Sequence, residues 1–183
     1  MAQWFLEPGH TAAEFCVRHM MVTFVRGAFK NVTGTLEFDP ERPERLAVQA
    51  RIPADGLWSG EAERDAHLKS GDFLDVEKHG EIRFTSDAVL VQSGHEYTLS
   101  GALTLRGVTR PVTLLVQFLG TWETSWWEDG VDKGPKTRAG FVARTSINRH
   151  DFGVSWSAEM ARGGRVVGDV VEITIDAEAV LVS

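Results

Sequence analysis

Cysteine is almost absent. Cys16 is the only one in 183 residues, which excludes an internal disulfide framework and any thiolate zinc cluster, and leaves an intermolecular bridge, hence a homodimer, as the one covalent pairing open to the chain. Long apolar runs are missing too. Gly, Thr, Gln, Asp or Glu interrupts stretches such as Leu114-Leu115-Val116 well before the ~18 to 20 residues that cross a bilayer, so the protein is expected not to be membrane-inserted. The first ten residues have no basic n-region and no apolar h-region, with Glu7, Pro8 and Gly9 following almost at once, and a cytoplasmic location is expected. Positive charge is in deficit: 19 Lys and Arg stand against 26 Asp and Glu, a net charge of −7. A field of that sign repels phosphate backbones, so no nucleic-acid partner is expected.

Catalytic signatures are missing as well. Gly153-Val154-Ser155-Trp156-Ser157 lacks the second glycine of a nucleophile elbow. Neither a Gly-x-Gly-x-x-Gly nor a Walker loop occurs, which removes the phosphate cradles of nucleotide enzymes. His10, His19, His67, His79, His95 and His150 never form a pair at metal-ligand spacing. Cys16 has only Arg18 and His19 beside it and alternates away from Phe15 and Val17, the pattern of a passive strand cysteine. No catalytic residue, cofactor or metal site is predicted.

What the chain does have is alternation. With 43% hydrophobic and 25% charged residues, residues 1–183 suit one domain. Apolar residues recur at every second position in Phe15-Val17-His19, Val32-Gly34-Leu36-Phe38, Leu46-Val48-Ala50-Ile52 and Ile82-Phe84-Ser86-Ala88-Leu90. They do so again in Tyr97-Leu99-Gly101-Leu103-Leu105, Val112-Leu114-Val116-Phe118, Ala139-Phe141-Ala143-Thr145 and Val171-Ile173-Ile175-Ala177. These are eight strands, each with one face buried. Asp39-Pro40, Ser93-Gly94 and Arg106-Gly107 punctuate them. Residues 60–70, free of Pro and β-branched residues and acidic at the start, predict one short helix, and a second helical turn is expected at 20–25. Residues 121–136 and 155–164 read as irregular, the first a Trp-rich flap over an apolar opening. Gly34, Gly101 and Gly140 fall inside strand patterns, as sharp bends that let a sheet close, so an all-β antiparallel barrel is predicted rather than a sandwich. Small residues on its inward faces leave room for a cavity.

Several blocks carry a resemblance. Trp4, His10, Phe15, Val17, His19, Gly27 and Phe29 form one. Arg64-Asp65-x-His67-Leu68 with Ser70-x-Asp72-Phe73-Leu74-Asp75, and then Phe84, form the next. Gly101-x-Leu103-Thr104-Leu105-Arg106-Gly107-Val108-Thr109-Arg110-Pro111-Val112 follows, with Asn148-Arg149-x-Asp151-Phe152-Gly153 and Val167-Gly168-Asp169 last. Together these resemble the YceI-like family of bacterial polyisoprenoid-binding proteins along nearly the whole chain. The resemblance implies an eight-stranded, lipocalin-like antiparallel barrel with a helix packed near one end and a long isoprenoid chain in its apolar interior.

The function expected is carriage or storage of an isoprenoid lipid, a polyprenyl phosphate or diphosphate or a prenylated quinone. Phe15, Val17, Phe29, Phe84, Leu99, Leu103, Leu114, Val116 and Phe141 hold the more apolar strand faces and are the candidate lining. His19, Arg64, His67 and Arg149 are donors at strand or helix ends and are the candidate head-group ligands. Two alternatives stand beside this reading: a stress-response partner protein with a filled barrel, and a barrel enzyme using His19 or His67 as general base.

Overall fold

The computed structural model describes residues 2–182. In chain order these form β1 (Gln3–Leu6), β2 (Ala12–His19), β3 (Thr23–Phe29), β4 (Thr33–Glu37), β5 (Ala47–Pro53), β6 (Leu57–Trp58), helix α1 (Ala62–Lys69), β7 (Glu81–Ser93), β8 (Glu96–Leu105), β9 (Val108–Glu128), β10 (Val131–Asn148) and β11 (Val167–Leu181). β1 pairs with both β4 and β11, closing the ring β1-β4-β5-β7-β8-β9-β10-β11. That ring is an eight-stranded antiparallel barrel, the architecture the alternation predicts, although β1, β3 and β6 are strands it does not mark and β1 rather than β2 stands in the ring. Two-residue turns join β7 to β8, β8 to β9 and β9 to β10.

Three strands are broken and continue. β11 is long enough to hold β1 at residues 179–181 and β2 at 167–176. At the break between them Thr11 is buried; its hydroxyl donates to the Glu178 carbonyl at 3.3 Å and accepts from the Glu178 amide at 3.2 Å. β3 prolongs β4 past Asn31, whose φ of 58° is one that asparagine tolerates. β6 prolongs β5 but pairs only with Ala28 and Phe29, so Thr23 to Gly27 have a strand partner on the β2 side alone. Beyond this point α1 and the turn after it supply Leu68, Phe73 and Leu74 to the interior. The helix is short but well begun, with the Glu61 carboxylate accepting from the amides of Glu63 and Arg64.

Two local expectations fail for one reason, the chemistry of a two-residue turn. Residues 20–25 are not helical. Met20 and Met21 take φ of 48° and 64° and β3 begins at once, making a hairpin. Residues 121–136 are not a flap either, because β9 and β10 run past the barrel as a two-stranded ribbon through Asp129-Gly130, with φ of 50° and 76°. Asp-Gly between extended segments is a hairpin signal, and the surrounding tryptophans obscure it. Residues 155–164 are irregular as expected, apart from a 3₁₀ turn and one bridge between Glu159 and Arg165.

The two ends of the barrel differ. At one, Phe38 stacks edge-on against Phe118 and Phe141 and tilts against Tyr97, with Trp4 Nε1 donating to the Phe38 carbonyl at 3.0 Å. These rings are fully packed and seal that end. At the other, a smaller cluster of Phe73, Phe152 and Val154 gathers Leu68, Leu74, Trp156 and Val167 around it.

Candidate functional site

Between the sealed aromatic end and the helix end lies a cavity of about 260 Å³ whose surface is carbon. It exists because inward positions on facing strands carry residues too small to meet across the barrel, among them Ala13, Ala50, Ala143 and Ala177. All nine apolar residues singled out from the alternation line it: Phe15, Val17, Phe29, Phe84, Leu99, Leu103, Leu114, Val116 and Phe141. The alternation missed Leu68, Phe73 and Leu74, since a helix and a turn have no two-residue period to betray which side chains face in. Gly101 contributes differently: a Cβ there would lie 2.4 Å from the Thr85 carbonyl oxygen and 2.7 Å from the Phe84 ring, so it is a point of close approach between strands.

Arg149 is the polar residue that matters most at the helix end. It lines the cavity yet is only 3% exposed. Its guanidinium donates to the carbonyls of Val154 and Trp156, both at 2.8 Å, of Gly168 at 2.8 Å and of Val167 at 3.3 Å. These four acceptors stand at the beginning and end of the irregular 155–164 segment, so one side chain ties that loop shut. No carboxylate hydrogen-bonds it; Asp169 is 3.9 Å away and half exposed. Burial pushes the Arg149 pKa down from the ordinary arginine value, while Asp169 opposes the shift.

The other three candidate donors lie around the same end but not on the cavity wall. His19 pairs with Val167, the residue whose carbonyl Arg149 holds. Arg64 donates to the Ser59 hydroxyl at 2.7 Å and the Ser59 carbonyl at 2.8 Å, fixing α1 to the strand before it, and Asp65 accepts from the Ser59 amide at 2.9 Å. His67 Nε2 lies 2.9 Å from Asp72 Oδ2, with its ring edge-on to Phe73 and Trp156. Arg64, His67 and Arg149 are therefore all engaged within the protein.

Asp169 gives this end a pH dependence. A hydrogen bond from His150, reinforced by Arg165, holds its carboxyl below the ordinary 3.8. A carboxyl depressed on folding stabilises the fold above its unfolded value, and that contribution disappears as the pH falls through the folded one. The melting temperature of the protein is expected to drop as pH is lowered through and below 3.8, and Asp169→Asn is expected to flatten that limb. Thermal melts of both proteins from pH 6 to 3 check it, and parallel curves would refute it.

Residues 4–179 match the profile of the YceI-like domain. The chain belongs to the YceI-like family. A UPF0312 protein of Pseudomonas putida strain W619 is 33% identical over 174 residues, 95% of this chain and 83% of that one. Another, from Pseudomonas fluorescens strain SBW25, is 35% identical over 148 residues, 81% and 73% of the two chains. Among solved structures, BcnA of Burkholderia cenocepacia superposes with a TM-score of 0.77 at 20% identity, over 94% of this chain and 98% of that one. A polyisoprenoid-binding domain from Saccharophagus degradans gives 0.65 at 11% identity, over 98% of each chain. At such identities the structural likeness is one of fold.

Other features of this YceI-like chain bear on the early expectations. The Cys16 thiol is free and buried. Among the described residues no helix is long and apolar enough to cross a membrane. One group escaped the sequence because its members come from both ends of the chain: Glu7, His10 and Glu178 place three ligand atoms within 4.8 Å of one another at the β1–β2 break. Arg138 is ion-paired to Glu178 there and supplies positive charge.

Proposed function

We propose that this YceI-like protein binds the isoprenoid tail of a lipid inside its barrel, for carriage or storage, with the tail entering from the helix end and the head left outside. The observation that supports this most is the cavity itself, which offers carbon over its surface, with four of the five Arg149 N–H groups held by backbone carbonyls. A branched hydrocarbon needs nothing more, since each CH₂-sized group buried gains ~0.8 kcal/mol. The nine strand residues named above, together with Leu68 and Leu74, form the tail site. Arg64, His67 and Arg149 build the helix end rather than hold the head, because an anion brought to them would have to displace bonds already made. The fold of the Saccharophagus degradans polyisoprenoid-binding domain is in keeping with the reading.

The alternatives find less support. A cavity argues against a filled barrel, and no histidine lines it among the described residues, which leaves a barrel enzyme without its base. The test is a melt with and without ligand. A prenylated quinone at 100 times its dissociation constant is expected to add ~2.7 kcal/mol, a rise of about 5 to 10 °C for a domain of this size. No shift with a prenylated quinone, a polyprenol or a polyprenyl phosphate would overturn the proposal.

A further inference from the structure

The hairpin between β2 and β3 is built against the usual preference. It closes with the Val22 amide donating to the His19 carbonyl at 3.2 Å, and both central residues, Met20 and Met21, have positive φ. Such a turn favours Asn-Gly, because an unbranched left-handed residue is strained once it has a Cβ. Two methionines stand there instead, and little covers them. Both are exposed, Val22 beside them is 84% exposed, Phe24 on the outward face of β3 is 54% and Trp58 on β6 is 62%. The register brings Phe24 opposite Arg18 and Trp58 opposite Ala28. Met21 also packs toward the 160–164 turn, with its Cγ 3.5 Å from where a Cβ on Gly164 would lie. Met20, Met21, Val22 and Phe24 thus share one corner of the surface, with Trp58 further along, level with Ala28.

The charges at this corner are basic. Among the described residues Arg18, Arg26 and Arg162 have no carboxylate within ion-pair distance. Arg18 instead donates to the Met21 carbonyl at 2.7 and 3.2 Å and lies over the Phe24 ring at 5.9 Å. Of the acids nearby, Glu172 is level with Arg26 but two strands away, Glu14 lies further along, level with Ala28 and Trp58, and Glu159 stands opposite Arg165 at the start of the turn that carries Arg162. In a chain of net charge −7 a local basic corner still governs contacts at close range, since charges beyond ~8 Å are largely screened at physiological salt. The exposed aromatics of the β9–β10 ribbon lie in mixed charge, with Trp122 opposite Arg138, Trp127 opposite Asp132, and Lys133 and Lys136 on the same hairpin.

Methionine, valine and phenylalanine projecting from a tight turn with arginines around them match an interface of acyl chains below and phosphates above. The place is telling as well. Val17 and Val167 line the cavity, and His19, next to the turn, pairs with Val167. We infer that this corner docks the protein on an anionic lipid bilayer with the helix end of its cavity turned toward the membrane. The inference of docking stands on the surface alone; its use in loading a lipid rests on the proposed function.

Co-sedimentation with vesicles tests it. The full chain is expected to bind vesicles of phosphatidylglycerol mixed with phosphatidylcholine, to bind pure phosphatidylcholine at least tenfold less, and to release as salt is raised from 0.1 to 0.5 M. Val22→Glu with Phe24→Glu is expected to lower vesicle binding at least tenfold, and Arg26→Gln or Arg162→Gln roughly fivefold each. None of these residues lines the cavity, so quinone binding without vesicles should be unchanged. Equal binding to both vesicle types, or full binding by the double variant, would overturn the docking surface. So would a concentration-dependent dimer that Val22→Glu abolishes, which would assign the corner to a second copy. Loss of quinone binding with vesicle binding intact would sink the tail site and leave the docking surface standing.

Discussion

Arg149→Met is expected to lower the melting temperature by about 10 °C while leaving the preference among prenyl ligands unaltered. Methionine matches the stem of arginine but carries none of its donors, so the carbonyls of Val154, Trp156, Val167 and Gly168 lose their partner together. A buried acceptor left unsatisfied costs ~1 to 3 kcal/mol. Because water can reach some of the four once the loop loosens, ~3 to 5 kcal/mol is a reasonable total, and each kcal/mol moves the melt of a domain this size by about 2 to 4 °C. Limited proteolysis should then cut within 155–164, the segment whose two ends the guanidinium joins. Melts of the variant, with titrations of a prenylated quinone and a polyprenyl diphosphate, check both halves. If the melt stays put and the diphosphate alone binds more weakly, Arg149 clamps a head group and the bracing role is wrong.

Filling the cavity should have the opposite signature, a large loss of binding and a small change in stability. Ala143 faces the cavity from β10, so Ala143→Phe places a ring where the tail would lie. Excluding one five-carbon unit forfeits up to ~4 kcal/mol of burial, about a thousandfold in affinity. The ring enters empty space instead of displacing packed atoms, so the melting temperature should move by no more than a few degrees. Gly101→Phe cannot serve as the same test, though it also points inward. A Cβ at Gly101 would meet the Thr85 carbonyl oxygen at 2.4 Å, and that variant should fail to fold. Isothermal titration of Ala143→Phe with a prenylated quinone decides the matter; undiminished affinity would place the ligand elsewhere.

The parts of this architecture that repeat every two residues were legible in the sequence. Strand faces such as Leu99-Leu103 and Leu114-Val116 announce their inward side, and closure into a barrel follows from many antiparallel segments with glycines inside them. Where the chain leaves that period, the reading loses its grip. Leu68, Phe73 and Leu74 come to the cavity from a helix and a turn, and the Asp129-Gly130 hairpin hides among tryptophans that suggest a flap. Long-range partners are less legible still. Nothing near Arg149 in sequence says that its guanidinium will be met by the carbonyls of Val167 and Gly168, or that Arg64 will hold Ser59. Those bonds depend on where strands meet after closure, information that spacing does not contain.

The packed rings of Phe38, Tyr97 and Phe118 make the barrel a blind bore. A chain that goes in must back out along the same path, because nothing can be threaded through. Each added isoprene unit then deepens the well that must be climbed on leaving but changes little at the moment of entry. Residence time should lengthen steeply with tail length while the association rate stays nearly flat, until the tail reaches the rings. Past that length every further unit hangs in solvent and the trend stops, so the depth of the bore acts as a ruler for the ligand.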